Sequence, residues 1–167
     1  YYPRDGKGAG AWCGRFRPQS YDGAMRVQPI VTNVCNMTLP AEEGGPALQT
    51  VDNVLTMFHE FGHALHSFFR DVQYEGTGGV ERDFVELPSQ INEHWAFEPE
   101  VLRQYARHYR TGEVIPQELV EKIDASSKYG QGFATVEYLA ASHVDLDLPY
   151  LPQMPKKPDV RPVRAEH

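Results

Sequence analysis

The chain has 167 residues, 41% of them hydrophobic, and a formal net charge of −7. That length predicts one domain with apolar residues enough for a core, and the acidic balance argues against a nucleic-acid partner. No apolar run reaches the length of a membrane span and no leader pattern opens the chain, so a cytoplasmic protein with no membrane partner is expected. Cys13 and Cys35 are too few for a disulfide framework and read as ordinary thiols.

Residues 1–9 read as a turn-rich lead-in. Residues 10–16 and 25–37 read as two extended segments around a polar turn, 19–23. Val27, Ile30, Val31 and Val34 give the second segment its β-branched character, and Pro29 argues against a central strand position near its start. Such a ribbon either covers the helices or offers an edge that an extended peptide can join. Residues 38–49, with Pro40, Gly44, Gly45 and Pro46, form a loop. A helix is predicted over residues 50–70, with Asp52 near its start, where a carboxylate suits the helix dipole.

This helix has two unlike faces. Asp52, Leu55, Thr56, His59, His63 and His66 gather on one side, and Val54, Met57, Phe58, Phe61, Ala64, Leu65, Phe68 and Phe69 on the other. The front carries His59-Glu60-Phe61-Gly62-His63, a His-Glu-x-x-His pattern. Positions i and i+4 share a helical face about 6 Å apart, so His59 and His63 stand side by side. Their ring nitrogens suit one Zn²⁺ at about 2.0–2.1 Å. Glu60 lies next to that face, placed to take a proton from a water activated by the metal without being a ligand. Gly62 costs about 1 kcal/mol inside a helix, which predicts a close neighbour there.

The glycine-rich segment 74–80 follows, with no Gly-Lys-Ser/Thr to make it a phosphate loop. It reads as a flap over a cleft or as an ordinary connection. A catalytic zinc needs three protein ligands and an open position. His66 lies about 10 Å along the axis from His59, too far for one ion to bridge. The extended metzincin pattern would need Gly at position 66 and His at position 69, where this chain has His66 and Phe69. The third ligand is therefore sought among the acids of residues 81–95. A second helix would put Glu86, Gln90, Glu93 and Phe97 on one stripe, with Glu86 reaching the ion and Glu93 accepting a hydrogen bond from a ligand histidine. Pro88 places Glu86 in or just before the first turn. Periodicity alone leaves Glu81 and Asp83 open as alternatives to Glu86.

The run His59-Glu60-Phe61-Gly62-His63-Ala64-Leu65-His66, then Gly76-Thr77 and Glu81-Arg82-Asp83-Phe84-Val85-Glu86-Leu87-Pro88-Ser89-Gln90, closely resembles the thimet oligopeptidase family of zinc metallopeptidases. In that family the acid before Leu/Ala-Pro-Ser-Gln is the third zinc ligand, which implies Glu86. The two histidines match His59 and His63, and the general base matches Glu60. The later run 128–142 resembles the bacterial peptidyl-dipeptidase branch. The resemblance covers residues 1 to about 148. It implies one zinc ion, a zincin-like core, and release of C-terminal dipeptides or cleavage of short oligopeptides.

The family's later Gly-Gly-Tyr…Tyr-Tyr motif is not matched after Ser142, and its large N-terminal helical half has no counterpart in these residues. The resemblance therefore implies a mainly α fold with a small antiparallel β piece, part of a larger all-helical metallopeptidase, with hydrolysis by these residues alone expected to be poor or absent. The alternative is a non-catalytic zinc-binding scaffold domain. Further helices are expected over 100–111 (Val101, Leu102, Tyr105 and Tyr109 inward), 116–127 (Leu119, Val120 and Ile123 inward) and 131–147, with Tyr138 in the core. His94, His108 and His143 read as surface or packing residues. A proline-rich, basic tail is expected over 149–167.

Overall fold

The threonine before the predicted metal helix starts it. In the computed structural model, which describes residues 2–74 and 76–150, the Thr50 side chain accepts a hydrogen bond from the Asn53 amide and α1 runs Val51–Phe69. Asp52 sits in the first turn. The far end is closed from outside the helix. Arg26 Nη2 donates to the carbonyls of Phe68 (3.2 Å) and Arg70 (2.8 Å), which no further turn satisfies.

The N-terminal ribbon is more finely divided than its composition suggests. β1 (Trp12–Arg17) pairs antiparallel with β4 (Ile30–Val34), Trp12 opposite Val34 and Arg15 opposite Val31, with a shift of register before Arg17. Between them lies a second hairpin, β2 (Ser20–Asp22) with β3 (Met25–Val27). The expected polar turn thus contains a strand, and the single second segment is two strands. Pro29, which cannot donate to a ladder, sits at the break. β1 and β4 pack on α1.

After the glycine-rich segment, α2 (Leu87–Glu93) carries straight into one 3-10 turn, His94–Phe97, and then α3 (Pro99–Tyr105). Gly62 answers for the close approach of α2. A Cβ at that position would stand 2.6 Å from Ser89 Cα and 2.7 Å from the Pro88 carbonyl oxygen. Asn92 Nδ2 donates to the Phe58 carbonyl at 2.7 Å and locks the crossing. Buried Ala96 and Leu102 and the Tyr105 ring, 6.0 Å from that of Phe58, fill the flank.

The helix over 100–111 ends at Tyr105. The backbone turns back, with the His108 amide bonded to the Glu113 carbonyl and Arg107 bridged to Val114, so Tyr109 lies in a turn and is exposed. The Thr111 hydroxyl, within reach of His108 and Glu113, supports that turn against the helical periodicity. The apolar back of α1 is only partly covered: Ala64 is buried, whereas Met57, Phe61, Phe68 and Phe69 are exposed.

Two compact units are distinguished, Tyr1–Val114 and Ile115–His167. The second contains α4 (Gln117–Ser127) and α5 (Gln131–Tyr150). Tyr138, expected in a core, is 74% exposed, and Leu119 is exposed too. Two helices alone offer too little surface to enclose such side chains. Pro149 belongs to the last turn of α5 rather than to a tail, and the remainder of the expected tail lies outside the described residues. The architecture is mainly helical with a small antiparallel β portion.

Candidate metal centre

α1 sets the spacing of the two rings. His59 and His63 lie one turn apart, with centroids 5.1 Å from each other and planes at 83°. α2 crossing at Gly62 brings its own start over the same face. Glu86, the residue before α2, places Oε2 3.1 Å from His59 Nε2 and 3.1 Å from His63 Nε2. These three donor atoms lie within 4.8 Å of one another, the arrangement of a group that could hold a metal ion. Glu81 and Asp83 are not in it. His66 lines the same cleft but lies outside the donor group.

The donor set fits a divalent cation. A tetrahedron with bonds of 2.0–2.1 Å has edges of about 3.3–3.4 Å, close to the two separations of 3.1 Å. Two imidazoles and a carboxylate suit zinc among the common ions.

The neighbours prepare each group for that role. Glu93 Oε1 lies 2.6 Å from His59 Nδ1. A carboxylate there accepts, so the proton sits on Nδ1 and the Nε2 lone pair faces Glu86 and His63. Ser89 Oγ, wholly buried, donates to Glu86 Oε2 at 2.9 Å. That bond, with help from His63 and His59, holds the Glu86 carboxyl below the usual range despite some burial. Glu60 is 7% exposed. Burial pushes its carboxyl up; the two histidines pull it down less, and Glu86 adds to the rise.

The cleft in front of these residues has a volume of about 550 Å³. β1 forms one wall through Trp12, Cys13 and Arg15. Both thiols are free, and burial followed by the Glu60 charge raises their pKa values. Ser89 and Asn92 were invisible to ligand-spacing arguments, although Ser89 stands three residues after Glu86, one turn along a helix beginning there. Arg15 and Arg70 are likewise cleft residues that no sequence motif marks.

The chain belongs to Peptidase family M3, whose sequence description matches residues 1–160. Among individual proteins, it is 45% identical over 148 residues to the dipeptidyl carboxypeptidase of Escherichia coli K12, covering 87% of this chain and 21% of that protein. It is 42% identical over 135 residues to oligopeptidase A of the same organism, covering 77% of this chain and 19% of the relative. A mitochondrial intermediate peptidase of Botryotinia fuckeliana is 34% identical over 148 residues, covering 87% and 19%. The chain spans about a fifth of the length of these relatives. Among the described residues, no helix is long and apolar enough to cross a membrane.

Proposed function

We propose that this chain carries the zinc-binding, proton-transferring centre of a peptide hydrolase, with a zincin-like core within residues 1–148. His59, His63 and Glu86 hold one zinc ion, and Glu60 is the general base. The observation that carries the reading is the placement of one Glu86 oxygen 3.1 Å from both histidine Nε2 atoms, on the face next to a buried glutamate. Family membership supports it.

Zinc bound there supplies a Lewis acid that polarises a carbonyl and acidifies water. The protein residues do the rest. Glu93 fixes the His59 tautomer, and Ser89 keeps Glu86 ionised. Glu60, made more basic by its burial, accepts a proton from the attacking water and delivers it to the leaving amine. The α1 face and the β1 wall hold the peptide between them. The relatives' names favour short peptides as substrates, with loss of C-terminal dipeptides or internal cleavage of oligopeptides. A cytoplasmic setting suits the two free thiols.

Glu60→Gln tests the assignment in the full-length protein. Zinc content by elemental analysis should remain at one per chain while hydrolysis of an N-blocked tripeptide falls about 10²–10⁴-fold. Retained hydrolysis ends the general-base role. Bound zinc with no hydrolysis, and no gain when the family's Tyr-containing segment is supplied, favours a non-catalytic scaffold.

A further inference from the structure

We propose that Asn36 is a positioning residue for the peptide: its side chain fixes the segment entering β1, at the place where two hollows meet beside Glu60. The inference rests on the peptide-hydrolase reading and adds to it the residue that sets the wall opposite α1.

Asn36 follows β4 and carries two costs. Its backbone is left-handed, with φ of 47°, the only such value at a non-glycine residue among those described. Its Oδ1 is buried without a hydrogen-bond partner among them. The amide nitrogen accounts for both. Nδ2 donates to the Gly8 carbonyl at 2.9 Å and to the Gly10 carbonyl at 2.7 Å. The amide cannot be turned the other way, because carbonyls only accept and Oδ1 would then face two acceptors. The unpaired oxygen follows from aiming the nitrogen at the lead-in.

Register explains why a side chain is needed. The ladder between β1 and β4 reaches Trp12 opposite Val34. Two residues further on, the same register would set Gly10 opposite Asn36. Both leave the extended conformation there, Gly10 with φ of 84°. The backbone ladder therefore stops, and the Asn36 side chain takes its place. Asparagine tolerates the left-handed backbone and also brings two N–H donors. Glycine would keep the first property and lose the bonds. Aspartate would set a carboxylate against two carbonyls.

What the bonds clasp is the run just before Ala11. Ala11 lines both the cleft described above and a second hollow of about 640 Å³; His59 and Glu60 are the other residues common to the two. Gly10, Cys35 and Asn36 line the second hollow too. A peptide held between the α1 face and the β1 wall thus meets the clasped segment beside Glu60. Backbone strain of this kind persists where the surroundings impose it, and it gathers at functional sites.

The test is peptide binding to the full-length, zinc-loaded protein carrying Glu60→Gln, so that the peptide is not consumed. By calorimetry, the affinity for an N-blocked pentapeptide should fall about tenfold or more when Asn36→Gly is added, because an ordered wall becomes a loose one. Asn36→Asp should weaken binding at least as far. Hydrogen exchange at the Ala11 amide should quicken in both, while zinc content and exchange in the middle of α1 stay unchanged. With Glu60 restored, Asn36→Gly should raise KM by a similar factor and leave kcat within about threefold. Glycine accepts the left-handed backbone, so this variant separates the bonds from the strain. Full affinity in Asn36→Gly overturns the proposal, and a lowered melting temperature with full affinity assigns Asn36 a structural role only. No turnover of any peptide by the parent full-length protein sinks the hydrolase reading, and the binding and exchange results still decide the role of Asn36.

Discussion

At the scale of single residues, the candidate centre depends on a missing side chain as much as on the proposed ligands. Gly62 lets the start of α2 lie against α1, and that approach carries Glu86 over the two imidazoles. Gly62→Ala would put a methyl group 2.6 Å from backbone at Ser89 and 2.7 Å from the Pro88 carbonyl, and backbone cannot rotate aside. Two effects should oppose each other. Alanine gains about 1 kcal/mol of helix propensity, whereas overpacking costs about 1–3 kcal/mol. The net expectation is a small loss of stability with a large loss of zinc affinity, because α2 must move and take Glu86 with it. Competition with a chromophoric chelator measures the second; unchanged affinity would show that Glu86 does not depend on this contact. His59, Glu60 and His63 were legible from sequence because helical geometry fixes i and i+4 locally. Glu86 was singled out only by resemblance, since its position follows from how a second helix crosses the first.

At the scale of elements, the inner hairpin clamps the segment that follows α1. Sequence showed a polar turn there, because three-residue strands give almost no periodic signal. What the hairpin does is visible only in its long-range bonds, Gln19 to Val72 above all. Gln19→Ala would leave the Val72 amide without its partner at a cost of about 1–3 kcal/mol. Hydrogen exchange at the Val72 amide should accelerate accordingly, while exchange in the middle of α1 follows only the global loss. Equal acceleration at both places would mean that the clamp acts on the whole unit. The same limit explains the shortened α3. Val101, Leu102, Tyr105 and Tyr109 keep helical spacing, but a turn built on His108, Thr111 and Glu113 takes over the backbone bonds after Tyr105.

At the scale of the whole molecule, the apolar content did not translate into a deep core. Ala64, Ala96 and Leu102 are the buried hydrophobic residues among those described, while Phe16 is 81% and Phe69 80% exposed. With so little apolar burial, the proposed ion, joining α1 to the start of α2, would contribute much of the stability of the first unit. Ligand linkage gives about 4 kcal/mol when free zinc stands at a thousand times its dissociation constant. Removing zinc with a chelator should therefore lower the melting temperature of the first unit and broaden its transition, and restoring zinc should reverse both. A melting curve indifferent to zinc would contradict the assigned ligands.

The sequence by itself determined the helix over 50–70 to within a residue, the side-by-side histidines, the need for a close neighbour at Gly62 and the predominantly helical class. Each depends on local geometry, in which one turn of helix fixes what stands beside what. Only the tertiary structure decided that Glu86 rather than Glu81 or Asp83 meets the rings, that a hairpin holds Arg70 in place, and that much of the apolar face of α1 remains uncovered. Those outcomes depend on contacts between residues far apart in the chain, which no short-range pattern encodes.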